Sequence, residues 1–84
     1  MAEILKLKDM LKIANIPFKE KDLDGTIQLI STSEYSEWDV VCHYGSYGGE
    51  CGLLELWFHD GEPTGWLTAK QAFNLIKKDK QNHV

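Results

Sequence analysis

The chain has 84 residues, of which 43% are hydrophobic and 26% are charged, and its formal net charge is −4. This length suits a single domain over residues 1–84, and this much apolar surface excludes an intrinsically disordered chain. No apolar run approaches the roughly 20 residues that cross a bilayer, and the N-terminus has no signal-peptide pattern. We therefore expect a cytoplasmic protein, in the cytosol of the cell that makes it, with no membrane partner.

Charge is unevenly distributed along the chain. All nine basic residues are lysines, and they lie at Lys21 or earlier and at Lys70 or later. The segment between them, residues 22–65, carries nine acidic side chains and neither lysine nor arginine. Because nucleic-acid-binding proteins neutralise phosphates with lysine and arginine, this segment argues against direct nucleic-acid binding.

The first predicted element is an amphipathic helix. Apolar residues recur at three- and four-residue spacing from Ile4 to Ala14, with lysines on the other side. Asn15 tolerates the left-handed conformation of a helix C-cap, and Pro17 prevents the helix from continuing. We predict that the helix stops near Ala14.

Two β-hairpins are predicted next. The first covers residues 18–31 around Asp24-Gly25, a pair that accepts the positive φ angles of a two-residue turn. The second joins residues 37–45 to residues 53–59 through the glycine-rich loop 46–52. A one-residue slip would turn its apolar residues outward, so alternation determines the faces better than the pairs. The register that we predict pairs Val40 with Phe58, Cys42 with Leu56 and Tyr44 with Leu54 on the core side, and Asp39 with His59, Val41 with Trp57 and His43 with Glu55 on the outer side.

A turn-rich connection over residues 60–65 and a second helix complete the predicted fold. Thr68 and Gln71 have the spacing of a capping box, in which each side chain binds the backbone N–H of the other residue. Apolar residues then recur from Ala69 to Ile76. The predicted class is α+β: a four-stranded antiparallel sheet of two hairpins, with the N-terminal and C-terminal helices packed on one face, in the order α-β-β-β-β-α.

Metal binding and catalysis are weakly supported. Cys42, His43, Cys51 and His59 are ligand types that zinc prefers, but Cys42 and His43 are strand neighbours that point to opposite faces. The chain also lacks a C-x-x-C pair and a nucleophile motif. The two predicted histidine–carboxylate pairs suit acid–base chemistry, and they equally suit neighbours on an exposed sheet face. We expect reduced thiols, no cofactor and no enzyme, and a metal-dependent hydrolase is the least favoured alternative.

The glycine-rich loop allows a second alternative, binding of a nucleotide-like ligand. Loops that bind phosphates usually precede a helix and include a lysine, whereas a strand follows here. Tyr47, Trp57 or Trp66 could still stack on a base. Such a protein would act as a sponge that sequesters a host nucleotide signal, and a homo-oligomer with sites between subunits is then an open possibility.

The predicted binding surface is acidic and contains aromatic residues. Acidic surfaces also keep proteins soluble, but solubility does not require the observed segregation of charge. Carboxylates beside exposed aromatic rings suit a protein partner with a basic surface, including the basic groove of a nucleic-acid-binding protein. The predicted binding residues are Asp39, His43, Tyr47, Glu50, Glu55, Trp57 and His59.

Five short segments carry a resemblance to a known group of proteins. They are Leu-Lys-Asp-Met-Leu at 7–11, Asp-Val-Val-Cys-His at 39–43, Ser-Tyr-Gly-Gly at 46–49, Gly-Leu-Leu-Glu at 52–55 and Gly-Trp-Leu-Thr-Ala at 65–69. Together they resemble small uncharacterised proteins encoded by phages and prophages of Gram-positive bacteria. The resemblance assigns no role to a residue. It implies an accessory protein that binds a host protein, and we expect it to inhibit a host defence or nucleic-acid-handling protein.

Overall fold

Five consecutive strands lie between two helices in an α+β fold. The computed structural model describes residues 3–23, 26–34, 36–42, 53–59 and 61–82. The strands form one sheet in chain order, and each pairs antiparallel with the next. The predicted class is confirmed, but the prediction of four strands in two hairpins is wrong. The elements are α1 (Glu3–Ile13), β1 (Phe18–Leu23), β2 (Thr26–Ser31), β3 (Trp38–Cys42), β4 (Leu54–Phe58), β5 (Thr64–Leu67) and α2 (Ala69–Asn82).

The fifth strand replaces part of the predicted turn-rich connection. β5 pairs with β4 through Leu67 opposite Leu54 and Thr64 opposite Leu56, which leaves Gly65 and Trp66 opposite one residue of β4. This bulge breaks the alternation by which a strand is detected in a sequence, and four residues are too few to show another pattern. The edge strand β5 therefore begins inside the predicted connection, at Thr64, and continues to Leu67.

Local signals at the helix ends are confirmed. Asn15 has a φ of 59°, and its N–H donates to the Lys12 carbonyl at 3.2 Å, while the Ile16 N–H donates to the Leu11 carbonyl at 3.0 Å. These are the two hydrogen bonds of a Schellman motif, and they turn the chain from α1 into β1.

The start of α2 shows the predicted capping box. The Thr68 backbone N–H donates to Gln71 Oε1 at 2.9 Å, and the Gln71 backbone N–H donates to Thr68 Oγ1 at 3.2 Å. Two N–H groups that the helix itself leaves without partners are satisfied in this way. The capping box therefore fixes where β5 ends and α2 begins.

Both helices pack against the same face of the sheet. Alternate strand positions bury their side chains there, so each strand presents its remaining residues on the opposite face. The buried apolar residues are Ile4, Leu7, Leu11, Ile16, Leu29, Trp38, Val40, Leu54, Leu56, Leu67, Ala69, Ala72 and Ile76.

No helix in the described part of the chain is long and apolar enough to span a membrane.

Trp66 has a φ of 61°, in the left-handed region that favours glycine. This conformation costs a residue with a Cβ atom roughly 1–2 kcal/mol. Trp66→Gly and Trp66→Ala remove the same indole, but only the glycine variant removes that cost. We expect Trp66→Gly to be more stable than Trp66→Ala by about 1 kcal/mol in urea denaturation.

The same two substitutions at Trp57 provide the matched control. Trp57 lies within β4 and is not among the residues with positive φ, so there alanine should be more stable than glycine by roughly 0.5–1 kcal/mol. If alanine were also the more stable replacement at position 66, the backbone strain assigned to Trp66 would be absent.

Candidate functional site

The candidate site lies on the sheet face opposite the helices. We call it the open face and define it by the outward residues of β1 to β4. The strand pairing places these residues in two rows across the sheet, in which each residue lies opposite the next. The first row is Lys19, Ile30, Asp39 and Trp57, and the second is Lys21, Gln28, Val41 and Glu55.

The register between β3 and β4 differs from the predicted one by two residues. Asp39 lies opposite Trp57, and Val41 lies opposite Glu55. On the core side Trp38, rather than Val40, lies opposite Phe58. A shift of two residues leaves each side chain on its predicted face, because strand side chains alternate with a period of two. For the described residues the predicted faces are therefore confirmed, and the predicted pairs are wrong.

His59 pairs with Glu37. The pair predicted from the sequence, His59 with Asp39, is wrong. Its Nδ1 lies 3.1 Å from Glu37 Oε2, and its backbone N–H donates to the Glu37 carbonyl at 3.1 Å. The two side chains are 73% and 57% exposed, so solvent screens the interaction between them. This pair closes the end of the β3–β4 ladder.

Trp57 and Asp39 are each oriented by a neighbour on the open face. Trp57 is 41% exposed, and its indole N–H donates to Glu55 Oε1 at 2.7 Å. Asp39 Oδ2 accepts a hydrogen bond from Gln28 Nε2 at 2.8 Å. An aromatic ring and a carboxylate thus lie side by side on adjacent strands, and each is held by a hydrogen bond.

A groove of about 660 Å³ opens beside this pair, where β3 begins and β4 ends. Three carboxylates line it, those of Glu34, Glu37 and Asp39, together with Trp57 and His59. Lysine is absent from the described residues that form its walls. The groove therefore attracts cations and repels anions.

Comparison of the chain with protein-family models, curated proteins and solved structures found no match. The features of the chain that bear on its function are therefore the open face and the groove.

The lysines of β1 add positive charge to the face that the sequence predicts to carry an acidic binding surface. Lys19 and Lys21 lie on the open face beside Ile30 and Gln28 of β2, although they precede the acidic segment in the chain. Strands lie about 4.8 Å apart, so these lysines are about 10 Å from the row positions on β3. Negative charge is concentrated at the groove rather than spread across the sheet.

Four of the seven predicted binding residues lie in or beside the groove: Asp39, Glu55, Trp57 and His59. The other three, His43, Tyr47 and Glu50, lie outside the described residues. The prediction also missed groove residues on β2 and on the β2–β3 connection. Alternation within β2 could have identified Gln28 and Ile30, had pairing between β2 and β3 been considered. Among the missed residues are Gln28 and Ile30 on β2 and Glu34 and Glu37 on the connection.

The expected reduced thiol at Cys42 is also corrected. Cys42 is disulfide-bonded in the structure, so it does not offer zinc a thiolate. Cys51 and the candidate ligand His43 lie outside the described residues. Within the described ranges, no group of three or more His, Cys, Asp and Glu side chains is placed to hold a metal ion. The expectation came from cysteine number and compartment, which carry no geometric information.

Proposed function

We propose that this chain is a non-enzymatic, phage-encoded binding protein. Its groove and open face bind a basic surface of a host defence or nucleic-acid-handling protein and inhibit that protein. The observation that carries the proposal is the groove, in which three carboxylates and the exposed indole of Trp57 meet with no lysine among the described wall residues.

Charge and apolar surface have separate roles in this binding mode. The carboxylates of Glu34, Glu37 and Asp39 steer a cationic surface toward the groove and discriminate against anionic partners. Trp57 supplies apolar contact area, and aromatic side chains contribute much of the binding energy of protein interfaces. Binding should therefore weaken steeply with salt, because the attraction between exposed charges is screened.

Two observations support the type of partner. Proteins that handle nucleic acids present basic grooves, which the acidic groove complements. The resemblance of segments such as 39–43 and 65–69 to phage proteins favours a host target. The alternative of a nucleotide sponge has less support, because the described groove residues offer carboxylates where phosphates would need cations.

Affinity capture from host lysate tests the proposal with two matched double variants. Glu37→Lys with Asp39→Lys reverses charge in the groove. Asp9→Lys with Glu62→Lys makes the same change in net charge at exposed positions that do not line it. We expect the groove variant to capture roughly tenfold less of the wild-type partner, and the control to capture it normally.

The captured protein is then purified and its affinity is measured at 50 and 300 mM salt, which span about 14 to 6 Å of screening length. Melting temperatures of all variants establish that each is folded. Equal binding by the wild type and the groove variant would refute the proposed surface. Equal affinity at the two salt concentrations would refute the electrostatic mechanism.

A further inference from the structure

We propose that the groove receives an arginine side chain of the partner, with its guanidinium stacked on the Trp57 ring and bound to the Asp39 carboxylate. This inference rests on the proposed function and specifies the chemistry that the groove recognises. The open face then binds a basic segment of the partner protein, because the charges of the groove complement that segment.

The strand register brings the two contacting groups together. Asp39 and Trp57 lie directly opposite each other on β3 and β4, and opposed Cβ atoms are about 4.5–5.5 Å apart in an antiparallel sheet. Across this separation, a planar guanidinium can cover the ring face and still reach the carboxylate with its N–H groups. Both contacts can therefore form at the same time on one guanidinium.

The hydrogen bonds on the open face prepare both groups for this ligand. The Trp57 N–H already donates to Glu55 Oε1, so the exposed part of the indole that is left for a ligand is its ring rather than its donor. Asp39 Oδ2 accepts from Gln28, and Oδ1 accepts no hydrogen bond from a described residue. Groups that are ordered before binding lose less conformational entropy when the ligand arrives.

Arginine fits this arrangement better than lysine. The guanidinium is planar, stacks on aromatic rings, binds carboxylates through two N–H groups and is more weakly hydrated than an ammonium. Glu34 and Glu37 extend the negative field along the groove, so a second basic residue of the same segment would also be attracted. A neutral flat ligand would gain the stacking contact but lose both charge interactions.

The test is a titration of 15N-labelled protein with acetylated, amidated peptides of five residues in which two arginines alternate with glycine. Matched peptides replace both arginines with lysine or with citrulline, which has the shape of arginine without its charge. The Trp57 indole N–H signal, assigned by its loss in Trp57→Phe, reports binding. We expect the arginine peptide to bind about threefold more tightly than the lysine peptide and at least tenfold more tightly than the citrulline peptide.

Single substitutions test the two contacts separately. Asp39→Asn keeps the shape of the side chain but removes its charge, and it should weaken the arginine peptide roughly tenfold. Trp57→Phe, followed through backbone signals of β3 and β4, should weaken it about threefold, since tryptophan gives the strongest cation–π contact. Asp9→Asn on α1 removes the same charge far from the groove and should leave the affinity unchanged. Equal binding of arginine and citrulline peptides, or unchanged binding to Asp39→Asn, would overturn the inference.

The two proposals fail in different ways. If charge reversal in the groove abolishes capture of the partner while the arginine peptide ignores Asp39 and Trp57, the arginine site is wrong and the binding surface stands. If the peptide binds as expected while capture is insensitive to the groove, the arginine site stands and the proposed function is wrong.

Discussion

Leu29→Ala is expected to destabilise the fold by about 2–5 kcal/mol, whereas Ile30→Ala should cost about 1 kcal/mol. The two side chains have the same number of carbon atoms and are neighbours on β2. Leu29 is fully buried beneath the helices, so its loss leaves a cavity among residues that cannot move to fill it. Ile30 is partly exposed on the open face, where water already reaches it.

Urea denaturation of the two variants measures this difference directly. A small domain is stable by only several kcal/mol, so Leu29→Ala should bring the midpoint close to zero denaturant. Ile30→Ala should remain folded and can also be tested for binding. If the two variants lost equal stability, the assignment of one covered and one open sheet face would be wrong.

The faces of the sheet could be predicted from the sequence because they depend on parity alone. Val40 and Leu56 are buried, and Asp39 and Trp57 lie on the open face, as alternation requires. The register could not be predicted in the same way, since shifting β3 against β4 by two residues keeps all four on their faces. The choice between such registers depends on particular pairs, such as His59 with Glu37 at the ladder end.

The candidate site was predictable only where it lies within one hairpin. Asp39, Glu55 and Trp57 share a face of β3 and β4 by local alternation. Gln28 joins them only because β2 pairs with β3, a contact between two hairpins that no short-range pattern reports. The lysines of β1 are separated from the acidic segment by chain position, yet pairing of β1 with β2 and of β2 with β3 brings them onto one face with it.

The contact between the buried Ser36 and the partly exposed Asp79 supports the wall of the groove. Ser36 is 4% exposed, and its hydroxyl donates to Asp79 Oδ2 on α2 at 2.6 Å. The Ser36 carbonyl accepts a hydrogen bond from the Ser31 hydroxyl, which in turn accepts one from the Ser33 N–H at 3.1 Å. These contacts link the helix layer to the connection whose residues 32–34 and 37 line the groove.

Asp79→Ala is expected to cost about 1.5–3 kcal/mol, because it leaves a buried hydroxyl without its charged acceptor. Asp79 makes further contacts, so a double-mutant cycle with Ser36→Ala isolates this pair, and its coupling energy should be about 1 kcal/mol or more. Asn74→Ala, at an exposed position of α2, is the control.

The same cycle connects stability to binding. If the contact holds the groove wall, Asp79→Ala should weaken the arginine peptide under conditions where the variant remains folded, and Asn74→Ala should not. Additive effects of Ser36→Ala and Asp79→Ala on unfolding would contradict the contact itself. Unchanged peptide affinity beside a clear coupling energy would show that the wall keeps its shape without α2, so the carboxylates of the groove would be positioned by the sheet alone.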